Sequence, residues 1–561
     1  MGNIAPNYIG AASDGGSITY SCDGNNGRFL AIHLQGDGNC YVQKNVISSI
    51  TVNNTNSANA TSFWGIHQQA RANTNVISNN TIGSATTANS IRALSASTAT
   101  AQTVIGYSGD GNGGTMTVSN NTIANLTNGT TNTTADTKGK VYGIWAFAGG
   151  SYTISGNAIH DLTIANANTQ TGPVPGQGDN TSLSAGGILF SGSYDASHTI
   201  SGNTVYNISN THSSFAGTVA GVYFYGQPTV SSVQKNLIYG LSSGSSSANI
   251  HGISIGGGVT TYSNNIITLG GNTTTSLYGI YEPGLSGSTS NIYFNTVYLS
   301  GSLTSGSMKS ACLYNAGASS TRNFRNNIFV NARSNSESGS GTHYAFYAAA
   351  IGGALTCDYN DYFVSGTGGT LGYFGGAKTV LPIVTGVTGN DAHSKNSYPV
   401  FASATPGTTA ADYLPTASSL LGVTGTNITT DYDGGDARSA TLPAMGAFEY
   451  PVTTCTAPAI GSQSTATQTQ CFNGTFTAIT VTATGDGLAY QWYSKATAEN
   501  SGGSALGSNN GAQTYSYTPQ AGTAGTLYYY CVVTGTCGTA TSAVSGAFIV
   551  IPASVGGILK W

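Results

Sequence analysis

The chain has 561 residues, of which only 6% are charged, and its formal net charge at pH 7 is −4. Soluble proteins usually carry about 25% charged residues, so Ser, Thr, Asn and Gly must cover most of this surface. The 33 Tyr and 17 Phe exclude a disordered chain, and the few scattered Lys and Arg residues exclude a nucleic-acid-binding protein.

The first 40 residues precede the repeats and are predicted to form an N-terminal cap or a first coil. The opening stretch MGNIAPNYIGAASDGG is not a signal peptide, because no basic region is followed by an apolar run. No run of 18 apolar residues occurs, so no membrane-spanning helix is expected. The low charge, the many Asn and Thr and the cysteines near the end instead indicate a mature or partial sequence of an exported protein.

From residue 41 onwards one short phrase recurs, in which an asparagine lies between two apolar steps, as in VSNNTIANLT (118–127). Alignment of the copies brings one asparagine into register ten times, at intervals of 29 to 46 residues. These register asparagines are Asn45, Asn80, Asn121, Asn157, Asn203, Asn236, Asn265, Asn295, Asn327 and Asn360. Mostly apolar residues lie three positions before and two positions after each of them.

A second phrase, such as VYGIW (141–145), alternates with the first. Self-similarity at this period predicts a solenoid or a propeller. The segments alternate with a period of two residues, and a minimal repeat of about 30 residues is too short for a four-stranded propeller blade. The sequence therefore predicts an all-β fold, a parallel β-helix of about ten coils over residues 41–450.

The register asparagines are predicted to have a structural role. Asparagine tolerates the left-handed backbone conformation that a sharp turn between strands needs, and its amide can bond the amides above and below in a ladder. The alternative is that they are glycosylation sequons or loose polar turns. Asn236 and Asn265 keep the register without a sequon, which favours the ladder.

The longest insertions, 128–140 and 166–185, follow the asparagine phrase in the early coils. Loops of a solenoid often gather on one face and carry binding. A solvated loop without a partner is the alternative for each of them.

Two further stretches resemble a known family. CDYNDYFVSG (357–366) and DYDGGDARSATLPAMGAFEY (431–450) resemble the last coils and the closing segment of secreted right-handed parallel β-helix repeat proteins of gliding and polysaccharide-degrading bacteria. The resemblance covers about residues 41–450 and implies a right-handed helix in a surface or secreted protein exported by a type IX system. It does not fix an activity, because one fold hosts many functions.

Residues 455–551 are predicted to form a small immunoglobulin-like β-sandwich, and residues 552–561 a tail. Trp492 would be the buried tryptophan of strand C, and Tyr529, two residues before Cys531, fits the tyrosine corner of strand F.

The four cysteines of this domain permit three pairings. Cys471 should begin strand B at the end where strand F starts, which favours Cys471–Cys531. Cys455 and Cys537 should then pair at the opposite end. The other four, Cys22, Cys40, Cys312 and Cys357, have no assigned partner.

Candidates for catalysis and metal binding are few. Asp161, Asp195 and Glu282 occupy unrelated positions in their coils, and the eight histidines are isolated. Asp358 and Asp361 lie close together, although the family resemblance explains them as part of the closing coils. Asp431, Asp433 and Asp436 are a weak calcium candidate, since they lack the third spaced ligand and the terminal Glu of an EF-hand loop.

The sequence therefore predicts no catalytic residue and no cofactor other than this possible calcium. The expected protein is an extracellular structural or adhesive surface protein that associates with itself, as a fibre or sheath subunit, or attaches to polysaccharide or cell surfaces. Coil ends and the insertions are the expected contact sites. The alternative is a polysaccharide lyase or glycoside hydrolase of the parallel β-helix type, which would use carboxylates such as Asp358 and Asp361.

Overall fold

The structure is a computed structural model. It describes all residues except 1–5, 11–17, 70–73, 111–112, 133–138, 148, 168–182, 193–195, 227–228, 351, 404–405, 418, 451–455, 536–537 and 554–561. The chain divides into two compact units, Met1–Val452 and Thr453–Trp561. The described helices are two single turns of 3-10 helix, Ala410–Tyr413 and Asn509–Gly511, and none is long and apolar enough to span a membrane.

The first unit is a solenoid of three long sheets, and the register asparagines separate sheet 1 from sheet 2. Sheet 1 contains ten parallel strands that end two residues before each register asparagine: Cys40–Gln43, Thr74–Ser78, Thr115–Ser119, Ser151–Ser155, Thr199–Ser201, Ser231–Gln234, Val259–Ser263, Thr289–Tyr293, Thr321–Arg325 and Leu355–Asp358.

Sheet 2 follows the asparagines. Its main path comprises Tyr8–Gly10, Val46–Ser48, Thr81–Gly83, Thr122–Thr130, Ala158–Ile164, Thr204–Asn210, Leu237–Tyr239, Ile266–Leu269, Thr296–Leu299, Ile328–Asn331 and Asp361–Val364. Four more strands pair beside this path: Ile18–Ser21, Ile50–Asn54, Ile91–Ser95 and Ser242–Ser243. A separate pair is Ser302–Leu303 and Ser334–Asn335.

Sheet 3 is built by the second repeated phrase. Its strands are Gly27–Leu34, Thr61–Gln68, Thr103–Gly109, Lys140–Ala146, Leu183–Ser191, Thr218–Tyr225, Asn249–Gly257, Ser276–Glu282, Ser310–Asn315, His343–Ala348, Gly369–Phe374 and Ala377–Lys378. All pairs are parallel except the last, which is antiparallel. The predicted all-β solenoid with long parallel sheets is therefore confirmed. Strands Tyr8–Gly10, Ile18–Ser21 and Gly27–Leu34 already pair with the next coil, so a first coil lies where a cap or first coil was predicted.

The core fills the space between the sheets with Ile and Val from the predicted positions. In the coil of Asn157, Ile154 and Ile159 are fully buried. A Cβ atom at Gly143 would clash with Cγ2 of Ile159. The glycine of the second phrase is therefore a point of close approach, where a sheet 2 side chain packs directly on the backbone of sheet 3.

The asparagine ladder is confirmed along the whole stack. The Oδ1 of Asn203 accepts hydrogen bonds from the backbone N–H and the Nδ2 of Asn157, at 3.0 and 2.9 Å. Its own Nδ2 donates to Oδ1 of Asn236 and to the carbonyl of Ile154, which lies in the preceding coil. The same pattern links the register asparagines from Asn45 to Asn360. Asn7, which the repeat alignment missed, begins the ladder by donating to Asn45.

The prediction that these asparagines adopt the left-handed conformation is wrong. In all ten coils the residue with positive φ is the one immediately before the register asparagine: Lys44, Asn79, Asn120, Gly156, Gly202, Lys235, Asn264, Phe294, Asn326 and Tyr359. The turn and the ladder are therefore carried by two adjacent residues, one of which supplies the backbone bend and the other the side-chain amide.

The C-terminal end of the stack is closed by residues 381–398, here called the cap. Ile383 and Val384 extend the solenoid core, and Asn390 Oδ1 accepts the backbone N–H of Cys357 at 2.7 Å. Ser394 Oγ accepts the backbone N–H of Asn360 and so ends the ladder. The cap therefore occupies the edge of the last coil at Cys357 and Asn360, and contact through the coil ends stays a prediction.

Residues 399–450, here called the cover segment, pack on the outer face of sheet 2 in the last five coils. Leu237, Ile266 and Ile328 of that face are buried against Phe401 and Phe448 of the cover segment. Arg438 is buried over the ring of Phe294 and donates to the carbonyls of Ala444, Gly446, Ala447 and Phe448. Arg438 thus ties the 431–450 stretch together over Phe294, while Phe448 and the backbone N–H of Ala447, which donates to Thr296 Oγ1, add further contacts with the solenoid.

The second unit contains two sheets around one core. The smaller sheet comprises Ala459–Gln463, Ile479–Thr484 and Ser516–Tyr517; the larger comprises Gln468–Cys471, Ala489–Lys495, Ser504–Ala505, Gly525–Gly535, Gly538–Thr541 and Phe548–Ile551. Trp492 is buried in this core directly opposite Cys531 on the neighbouring strand.

The predicted Cys471–Cys531 disulfide does not form, and both thiols are free. Cys471 pairs with Ile551, at the level of the start of strand Gly525–Gly535. Cys531 lies near the middle of that strand, roughly 20 Å further along at 3.3 Å per residue, whereas a disulfide needs Cα atoms within about 7 Å. Cys455 and Cys537 lie outside the described residues.

Candidate functional site

The outer face of sheet 1 carries two rows of uncharged polar side chains, here called the polar face. One row consists of residues four positions before the register asparagine, namely Thr117, Thr153, Thr199, Ser232, Thr261 and Asn291. The other consists of residues two positions before it, namely Ser119, Ser155, Ser201, Gln234, Ser263 and Tyr293. Parallel pairing keeps both rows in register, because equivalent residues of neighbouring coils lie about 4.8 Å apart.

Hydrogen bonds between coils order part of the first row. Asn323 Nδ2 donates to Asn291 Oδ1 at 2.8 Å, and Asn291 Nδ2 donates to Thr261 Oγ1 at 3.3 Å. Tyr293, in the second row, donates its hydroxyl to Asn291 Oδ1 at 3.3 Å. These bonds hold the side chains at defined positions, which lowers the entropy lost when a ligand binds them.

A groove of about 450 Å³ runs between the polar face and residues 425–428 of the cover segment. Its floor comes from the four coils of Asn203, Asn236, Asn265 and Asn295, and includes Ser232, Gln234, Ser263, Asn291 and Tyr293. Thr426 and Asn427 contribute polar side chains from the opposite wall. The groove is thus lined mainly by hydroxyls and amides, together with the rings of Tyr293 and His198 and the aliphatic side chains of Val230 and Ile428.

One groove hydroxyl has no hydrogen-bond partner. Ser263 is fully buried beneath the groove, and its Oγ finds no acceptor or donor within the protein. A buried unpaired hydroxyl costs roughly 1–3 kcal/mol, and the accessible polar groups of the groove are those of its other lining residues.

The lining contains no Asp, Glu, Lys or Arg. His198, its one titratable imidazole, has a pKa lowered to about 4 by burial, so it is neutral at pH 7. The groove therefore offers hydrogen bonds and the rings of Tyr293 and His198 without a net charge. This chemistry suits binding of a polyhydroxylated molecule.

Asp358 and Asp361, the carboxylates of the enzyme alternative, serve the cap. Asp358 accepts the backbone N–H of His393 at 2.7 Å and pairs with its imidazole Nδ1 at 2.8 Å. Asp361 is fully buried, accepts the backbone N–H of Ser397 at 2.9 Å, and has a pKa raised to about 7 by burial. Each carboxylate thus anchors the chain that closes the stack.

The other acidic candidates do not come together either. Asp161 pairs with its neighbour His160 at 2.6 Å, and Asp195 lies outside the described residues. Glu282 is buried inside the solenoid, where it accepts hydrogen bonds from Ser290, Ser320 and Asn315. Asn315 also accepts from buried Arg322, so the interior charges are joined through an amide.

The calcium candidate is not supported. Asp431 accepts backbone N–H groups of Gly434 and Glu449, and Asp433 accepts that of Gly435. These bonds shape the turn that presents Arg438. No group of three His, Cys, Asp or Glu side chains suited to a metal occurs within the described part of the chain.

The sequence indicated that the histidines are isolated, but the fold brings His33 and His67 together. His33 and His67 stack on sheet 3 with ring centroids 5.2 Å apart, and His67 Nε2 lies 3.9 Å from Asp110 Oδ2. Burial is the largest influence on the imidazole of His67 and lowers its pKa. The parallel register between strands 27–34 and 61–68 brings the two rings together.

The outer face of sheet 3 is aromatic. Tyr281, Tyr314, Tyr347 and Tyr373 stack in one row, with successive centroids 5.7, 4.8 and 4.6 Å apart. Each ring covers the face of the next, so the row presents ring edges rather than the open faces on which sugars stack. Trp64, on the same sheet, is almost fully buried.

The sequence predicted binding on the insertions and missed the polar face. Residues 133–138 and 168–182 of the insertions lie outside the described residues. The polar face did have a sequence signal, which is the recurrence of Thr and Ser four and two positions before the register asparagine. No protein-family model, curated protein or solved structure matches the chain.

Proposed function

We propose that the protein is a non-enzymatic, extracellular attachment protein that binds a polysaccharide through the polar face and its groove. The observation that carries this proposal is the uncharged groove lined by hydroxyls, amides and the ring of Tyr293. Hydroxyls and amides match the hydrogen-bonding groups of sugars, and a tyrosine ring provides apolar contact.

The location and the family type belong to the same proposal. A low-charge surface rich in Ser, Thr and Asn, together with the 357–366 and 431–450 stretches, supports a secreted right-handed β-helix protein of bacterial surfaces. The second unit is proposed to be an immunoglobulin-like sandwich. Its two sheets and the buried Trp492 support this assignment.

Self-association as a fibre or sheath subunit is the second candidate. Strands Tyr8–Gly10 and Gly27–Leu34 of the first coil each pair on one side only among the described strands. Tyr8 and Tyr20 of this coil are exposed. An unpaired edge can accept another chain, and the cap at the other end favours pairing of two first coils over an open-ended filament.

The enzyme alternative is less well supported, because Asp358 and Asp361 are engaged with the backbone of the cap. Release of unsaturated or reducing sugars from a polysaccharide, abolished by Asp358→Asn or Asp361→Asn, would replace attachment by a lyase or hydrolase activity.

The direct test measures depletion of the protein from solution by a panel of insoluble polysaccharides. Tyr293→Ala should weaken binding about tenfold, which corresponds to the loss of one ring contact. Tyr515→Ala, which removes an exposed tyrosine of the second unit, is the matched control and should bind as the parent does. Equal binding by all three proteins would contradict the assignment of the groove.

A further inference from the structure

We infer that the ligand of the polar face is a neutral, extended polysaccharide whose chain runs along the stacking axis of the solenoid. This inference rests on the proposed attachment function and adds the charge class of the polymer and its direction. The evidence for it is the absence of charge in the two rows of the polar face, the spacing of their side chains and their continuity from coil to coil.

The charge of the polymer follows from the rows themselves. From Thr117 to Asn291 in one row, and from Ser119 to Tyr293 in the other, every residue is uncharged. The first charged member is Arg325, one coil beyond Tyr293. Recognition of carboxylated or sulfated sugars uses Arg or Lys with charge-assisted hydrogen bonds, and these six coils offer none on this face.

The direction follows from the geometry of a parallel stack. The rows run perpendicular to the strands, with a side chain about every 4.8 Å along the axis, and the two rows lie about 6.6 Å apart across each strand. An extended sugar chain repeats its hydroxyls at a distance close to one coil. A chain along the axis therefore meets equivalent groups in successive coils, whereas a chain across the axis would leave sheet 1 after one strand.

The groove and the open rows form one continuous track. The groove covers the coils of Asn203 to Asn295, and the rows continue from it through Ser155 and Thr153 to Ser119 and Thr117. Thr153 is exposed.

The experiment compares the full chain with two arginine variants in one coil. Thr153→Arg places a long charged side chain on the track, two coils away from the centre of the groove. Thr163→Arg, on the outer face of sheet 2 in the same coil, is the matched control. The probes are swollen β-1,4-glucan, β-1,4-xylan and β-1,4-mannan as neutral polymers, and alginate and polygalacturonate as acidic ones, at low and high salt.

At least one neutral polymer should bind, with little dependence on salt. Thr153→Arg should weaken this binding about tenfold, while Thr163→Arg leaves it unchanged. Short oligosaccharides that fill only the groove should bind equally to the parent and to Thr153→Arg. Circular dichroism and thermal unfolding of both variants check that the fold is kept.

The charge class, the axial direction and the attachment function are each contradicted by a different outcome. Salt-sensitive binding of acidic polymers alone would overturn the neutral class and leave attachment standing. If Tyr293→Ala weakens binding of a long neutral polymer while Thr153→Arg does not, the axial direction is wrong. If no polysaccharide binds the parent protein, the proposed function fails together with this inference.

Discussion

The first five and the last five coils of the solenoid share one ladder but differ at the corner before each register asparagine. In the last five coils the left-handed residues are Lys235, Asn264, Phe294, Asn326 and Tyr359, and each contacts the cap or the cover segment. In the first five they are Lys44, Asn79, Asn120, Gly156 and Gly202, two of which are glycine.

The contacts of the late corners are specific. Lys235 donates to Thr430 Oγ1, Asn264 accepts from Arg438, and Asn326 forms hydrogen bonds with both backbone groups of Val423. A bulky residue in the left-handed region costs about 1–2 kcal/mol. Phe and Tyr at such corners therefore show that the tertiary contact outweighs the backbone strain.

The same contrast exists one residue after the register asparagine. Early coils carry the half-buried Thr81, Thr122 and Thr204 there, whereas late coils carry the buried Leu237, Ile266 and Ile328. A single solenoid thus has a face made for solvent in one half and for the cover segment in the other. The comparison teaches that the residue types next to each register asparagine depend on what packs outside that coil, whereas the register asparagine itself does not change.

The largest expected effect comes from the feature that both halves share. Asn203→Leu or Asn236→Leu leaves the amide and backbone partners of two neighbouring coils unpaired, and should destabilise the solenoid by roughly 3–5 kcal/mol. Asn272→Leu, in an exposed turn, is the control. Urea unfolding with equal stability for all variants would show that the ladder does not stabilise either half.

The pH dependence of unfolding tests the contribution of the buried Asp361, which lies in the last of the late coils. Its folded-state pKa of about 7 lies above its unfolded value of 3.8, because burial disfavours the charged carboxylate. The folded protein therefore binds the proton more tightly, and this contribution to stability is lost as pH rises from about 4 to about 7. Asp361→Asn should unfold with a weaker pH dependence in that window and be about 2–4 kcal/mol more stable than the parent above it. An unchanged pH profile would exclude Asp361 as the titrating group.

Phe294→Gly tests whether contact outweighs strain in the late half. The variant removes the buried ring beneath Arg438 and relieves the left-handed strain, so the net loss should be about 2 kcal/mol. The protection of amide protons from exchange in residues 430–450 is the most direct measurement. Unchanged protection would show that the cover segment stays packed on the solenoid without the contact between Phe294 and Arg438.

Lys44→Gly is the counterpart in the early half and should have the smallest effect. Lys44 is exposed, so glycine removes the strain at φ 57° without removing packing. A gain of about 0.5 kcal/mol is expected, since part of the relief is offset by the greater freedom of glycine in the unfolded chain. A loss of stability in Lys44→Gly would show that the early corners, like the late ones, depend on the side chain of the left-handed residue.

Much of the fold was predictable because its determinants are local and repeated. The alternation of residues and the register of Asn45 to Asn360 predicted the sheets, the core positions and the ladder. The left-handed residue was misplaced by one position, since Lys44, Phe294 and Tyr359 are residue types that disfavour this conformation. The cap was not predicted, because residues 381–398 imitate a coil with hydrogen bonds from Asn390 and Ser394 rather than with a repeat phrase.

The candidate site was less predictable. The Thr and Ser rows are readable at fixed offsets from the asparagines, but a row becomes a groove only where residues 425–428 lie opposite it. That contact joins positions more than 120 residues apart, such as Tyr293 and Asn427, and no local pattern encodes it. The failed cysteine pairing has a similar cause, since strand register places Cys531 in mid-strand.

The asparagine ladder also determines how coils can be added to the solenoid or removed from it. The register asparagines link each coil to the coils directly before and after it, and the spacing along the chain between them varies from 29 to 46 residues without breaking the series. A duplicated or deleted coil would therefore rejoin the same series, provided that Asn7 and Ser394 remain at its ends. Each added coil would lengthen the polar face by about 4.8 Å, so the length of this face can change by duplication of coils alone.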